Sequence, residues 1–125
     1  MKNIFLTLVF FSLIQNVCAD EQVQLAKDEK ALAETCVKSR EACKNAWTQA
    51  DQETKKKTAT LLACQQTCLN ALKACNDSKK SAKRVNNTKG KADAVENFNS
   101  ANGYNMDCQR MLQERNNADV KSDGK

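Results

Sequence analysis

The chain contains no histidine and no proline, and only three glycines, at positions 90, 103 and 124. Each shortage excludes something. With so little turn chemistry, an all-β domain could not build its hairpins. Without histidine the commonest general acid–base group is missing. A zinc site has no imidazole to use, and no C-x-x-C pair is present to begin an all-thiolate one. A glycine-rich phosphate loop is also absent. The chain is therefore expected not to be an enzyme, and to require no cofactor and no metal.

Large apolar residues are scarce outside the first nineteen positions. From residue 20 onward there are seven Leu, five Val, two Met, one each of Trp, Phe and Tyr, and no Ile. Such a set makes a thin core for a small domain, and small domains with thin cores need covalent staples.

The first nineteen residues have a separate logic. Lys2 supplies a positive start, residues 4–14 form an apolar run too short to span a bilayer, and Val17-Cys18-Ala19 places small residues at a cleavage site. This reads as a secretory signal peptide over residues 1–19. A lipoprotein reading with Cys18 lipidated fits less well, because Gln15-Asn16-Val17 is a poor approach to it. The remaining 106 residues divide into a helical domain over 20–117 and a flexible polar tail over 118–125. An extracellular location is expected, or a periplasmic one in a bacterium. Nineteen basic residues stand against fifteen acidic ones in this part, a mild net charge of +4.

Six cysteines remain after the leader: Cys36, Cys43, Cys64, Cys68, Cys75 and Cys108. An even count in a short exported chain reads as three disulfides. The intervening sequence is rich in Ala, Lys, Glu, Gln and Leu, good helix formers. One helix is expected over about 21–53, with Leu25, Leu32, Cys36, Cys43, Ala46 and Ala50 on a stripe. A second is expected over about 54–85, its stripe being Leu61, Cys64, Cys68, Leu72 and Cys75, widened by Leu62, Leu69 and Ala71. A third, over about 91–117, carries Val95, Phe98, Cys108, Met111 and Leu112. The poor helix formers of 99–105 predict a kink or short break near Gly103. The charged segment 51–57 and the polar segment 84–90 are the expected turns.

Cysteine spacing orders these pieces. Cys36 and Cys43 are seven positions apart, as are Cys68 and Cys75. Seven residues make two helical turns, so each pair forms a one-face ladder with a step of about 10.5 Å. Equal ladders on two antiparallel helices can be bridged twice. Facing positions in such a hairpin share a constant sum; Cys36 with Cys75 and Cys43 with Cys68 both give 111, centred inside the first turn. Cys64 with Cys108 gives 172, centred on Asn86, inside the second. The expected bridges are Cys36–Cys75, Cys43–Cys68 and Cys64–Cys108, and the expected fold is an all-α, disulfide-stapled, antiparallel three-helix bundle. Trp47 should sit at the height of Cys64 and plug the core there. The twin ladder resembles, in architecture only, the twin C-x9-C helical hairpins of the mitochondrial intermembrane space and the twin C-x3-C α-hairpinins. Its own step is C-x6-C, and no functional residue carries over.

Two basic clusters remain as candidate partner surfaces. Lys79, Lys80, Lys83, Arg84, Lys89 and Lys91 surround the second turn; Lys55, Lys56 and Lys57 occupy the first. The acids Asp28, Glu29 and Glu34 should neighbour the larger cluster and compensate it. No aromatics interleave with the lysines, so nucleic acid is not an expected partner. Asn86-Asn87-Thr88 and Asn76-Asp77-Ser78 match the N-glycosylation acceptor pattern, Asn86 being the better placed. The expected function is that of a secreted, monomeric, toxin-like or effector ligand that binds a protein target, with an anionic surface as another partner. A bacterial periplasmic or cell-surface interaction protein and a membrane-active antimicrobial are the alternatives.

Overall fold

A run of 51 residues without proline or glycine opens the structure as a single helix. The computed structural model describes the backbone of residues 2–123 and the side chains of residues 21–119. The signal peptide expected over 1–19 lies outside the described side chains, as does most of the 118–125 tail. Three helices account for the architecture: α1 Lys2–Gln52, α2 Thr58–Arg84 and α3 Thr88–Asp123. They run up, down and up. α2 packs along both neighbours, while α1 and α3 meet over a smaller surface.

The structure joins Cys36 to Cys75, Cys43 to Cys68 and Cys64 to Cys108, the three pairs reached from spacing. Cα atoms across the two hairpin bridges are 4.5 Å apart, and across the third 5.9 Å. Backbones this close leave no room for large side chains between them. Among the described residues the buried apolar ones are accordingly the six bridged cysteines, five alanines (Ala50, Ala71, Ala82, Ala94 and Ala101), Leu61 and Met111. Ala50 and Leu61 share the sum 111 and close the core beside the first turn. Ala71 and Ala101 share the sum 172, and two such small residues let α2 and α3 approach closely. The Sγ atom of Cys43 rests 3.8 Å from the Ala101 carbonyl oxygen, so the hairpin bridge also touches α3.

Several expected core positions behave otherwise. Leu62 and Leu69 are exposed, at 49% and 41%, because they lie on the solvent side of α2, away from the cysteine row. Leu25 is also exposed, on a stretch of α1 beyond the cysteine ladder. The break expected near Gly103 does not form; α3 is continuous from Thr88 to Asp123. Ala101, Asn105 and Cys108 are all buried on its inner face, while Gly103 is exposed with open space around it. Packing of that inner face overrides the weak local propensity of 99–105.

Trp47 is half-buried against the core. Its ring lies 4.9 Å from that of Tyr104, and its Nε1 donates to Asp107 Oδ2 at 3.2 Å. The indole packs from the rim against the buried cluster that contains Cys64 and Cys108, covering the core at this level and not filling it.

Candidate functional site

The two ends of the bundle contain the two basic clusters, and the chain builds them differently. At the first turn, α1 ends at Gln52 and leaves its last carbonyls without helical partners. The Lys56 ammonium fills this role. Its Nζ donates to the carbonyls of Ala50, Asp51 and Glu53 at 2.7, 3.1 and 3.2 Å. A cation here also opposes the negative end of the helix dipole. Glu53 performs the reciprocal task for α2: its carboxylate accepts from the Lys57 backbone N–H at 3.3 Å and from Thr60 Oγ1 at 3.0 Å. Of the three lysines assigned to a partner surface at this tip, Lys56 is therefore a helix cap. Lys55 and Lys57 are exposed.

The second turn is shorter and tighter. The Asn87 N–H donates to the Ala82 carbonyl at 2.9 Å and the Asn86 N–H to the Lys83 carbonyl at 3.2 Å. This nested pair is the Schellman arrangement, which needs a left-handed residue just past the helix end. Asn86 supplies it, with φ 56°. Asn87 then starts α3: its Oδ1 accepts from the Gly90 N–H at 2.9 Å, an N-cap. The other half of the same amide donates from Nδ2 to Glu29 Oε1 of α1 at 3.2 Å. Asn87 thus ties all three helices at this end, its backbone N–H to α2 and its side chain to α3 and α1. Gly90 is needed for the fit, since a Cβ there would fall 2.6 Å from Asn87 Nδ2 and 2.8 Å from Glu29 Oε1.

Lys79, Lys80, Lys83, Arg84, Lys89 and Lys91 are all exposed around this turn. The ion pairs among the described residues lie elsewhere, at Arg40–Glu41, Arg110–Asp107, Arg110–Glu114 and Arg115–Asp119. The compensation expected from Asp28, Glu29 and Glu34 is not made by contact: Glu29 is held by Asn87, and Asp28 accepts from Gln24 Nε2 at 2.9 Å. Shallow recesses furrow the cationic end. One is lined by Ala82, Lys83, Asn86, Asn87, Thr88 and Lys91. Another is lined by Leu32, Asp77, Lys80, Ser81 and Arg84. Both basic helix-end positions Lys83 and Arg84 also suit the α2 dipole.

The sulfurs form the remaining concentration of reactive atoms. The Sγ atoms of Cys64, Cys68 and Cys108 lie within 4.8 Å of one another, all buried. They belong to two bridges packed side by side, and a sulfur in a disulfide presents no thiolate for coordination or attack. Among the described residues no helix is long and apolar enough to cross a membrane. Neither a protein-family model, nor a curated protein, nor a solved structure matches the chain.

Proposed function

We propose that the chain is an exported binding protein, a toxin-like or effector ligand that meets an acidic patch on a partner protein with its cationic end. The observation that carries this reading is the set of six exposed cations around a rigid turn, none of them in an ion pair among the described residues. An excess of one charge raises association rates and selects partners of opposite sign. The scaffold supports the same reading. The Cys36–Cys75 bridge, the Schellman turn and the Asn87 cap support one shape for this surface before contact, which lowers the ordering cost of binding.

The test compares the oxidised protein with the triple variant Lys80→Gln, Lys83→Gln, Arg84→Gln. Each is immobilised and exposed to extracellular proteins from the organism of origin, and retained proteins are then purified and titrated. The reading predicts a retained acidic protein whose affinity falls at least tenfold in the triple variant and declines with added salt. Equal retention by both forms, or binding indifferent to salt, contradicts it.

A further inference from the structure

Asn86 occupies a position that favours glycine. It is the left-handed residue of the Schellman turn, at φ 56°, where a Cβ is a steric penalty and glycine carries none. Asparagine is the usual non-glycine residue tolerated there. Its side chain is exposed, and among the described residues its amide enters no hydrogen bond. The same is true of the Thr88 hydroxyl, two positions on and also exposed. Between them, Asn87 points inward and is fully engaged with Gly90 and Glu29. The triplet therefore presents an accessible amide and an accessible hydroxyl around an anchored middle residue. The second triplet of this kind differs in every respect. Asn76 lies in the interior of α2, half-buried, directly after the bridged Cys75, and its Ser78 is 1% exposed.

We infer that Asn86 is an N-linked glycan acceptor and that Asn76 is not. The donor class is a polyprenol-pyrophosphate-linked oligosaccharide. The Asn86 amide nitrogen forms a bond to the anomeric carbon of its first sugar, and the bond from that carbon to the pyrophosphate oxygen breaks. The lipid pyrophosphate leaves with the electron pair, and the amide nitrogen loses one proton to the transferase. The middle residue of the triplet keeps its cap, so α3 and the tie to α1 persist in the modified protein. The attached sugar stands beside Lys83 and Lys91, which share its recess. This inference does not depend on the identity, or the existence, of an acidic partner.

The test uses the full chain recovered from the medium of a eukaryotic secretory host, behind the host's own leader if necessary. After reduction and alkylation, trypsin releases residues 85–89 as one peptide carrying Asn86 and residues 74–79 as another carrying Asn76. Enzymatic glycan removal in heavy-oxygen water converts a glycosylated Asn to labelled Asp, so the site is read on the unmutated protein. The expected result is label at Asn86 in most molecules and none at Asn76. Asn86→Gly, which suits the turn, and Thr88→Ala should each abolish the mass shift while leaving helix content unchanged, and Asn76→Gln should leave the shift intact. An unmodified 85–89 peptide in nearly all secreted molecules, or label at Asn76, overturns the inference.

Discussion

Lys56 and Asn87 each close one end of the bundle through several hydrogen bonds. Lys56 collects three carbonyls at the end of α1, so Lys56→Ala should cost about 1 kcal/mol, in the range of a lost charged hydrogen-bonding group at a partly solvated helix end. Lys55→Ala and Lys57→Ala, on exposed side chains, should stay within about 0.5 kcal/mol of the parent. Urea unfolding of the three variants separates a capping lysine from surface lysines; equal effects would contradict the assignment. In sequence the three are indistinguishable, because which lysine reaches back depends on the course of residues 53–57 and not on composition. Asn87→Ala removes the N-cap of α3 and the amide bond to Glu29 together. About 1–2 kcal/mol should be lost, and amide exchange should quicken first in the opening turn of α3. Asn87→Asp keeps the acceptor but sets a carboxylate against Glu29, so it should recover only part of the loss.

At the scale of the element, the helices were legible wherever cysteine spacing and propensity agreed. Both turns fell inside the expected segments because the bridge sums and the polar composition point to the same places. Propensity alone misled for 99–105, where Asn, Ser and Gly suggested a break; the buried row Ala101, Asn105 and Cys108 holds that stretch in α3. Leu62 and Leu69 misled in the other direction. Leucine on a helix suggests core, yet the close cysteine contacts leave no space for them, and they face solvent. α3 is linked to the hairpin by one bridge, whereas α1 and α2 share two nested ones. Replacing Cys64 and Cys108 together by Ala should therefore cost about 4 kcal/mol in the loop-entropy account. Replacing Cys43 and Cys68 together should cost less, because Cys36–Cys75 still closes the hairpin around them. Thermal melting of the two double variants checks the order; a larger loss from the inner hairpin bridge would contradict it.

For the whole molecule, stability rests on a core of cysteine and alanine with little else. Leu61 and Met111 are the only larger side chains in the buried apolar set among the described residues, and Trp47, Tyr104, Leu72 and Leu112 cover it from the rim. The scarcity of large apolar residues announced this composition, and the even cysteine count announced its remedy. What the sequence could not announce was the surface. Whether acids and bases at one end meet as ion pairs depends on side-chain reach, and Glu29 turned out to serve Asn87. The bridge pattern is the claim on which helix order, turn positions and the cationic end all depend. Tryptic mapping without reduction tests it directly. The expected products are residues 31–38 joined to 74–79, and residues 58–73 joined to both 41–44 and 92–110, with fragmentation placing Cys68 on the first link and Cys64 on the second. Residues 31–38 found joined to 41–44 or to 58–73 would contradict it.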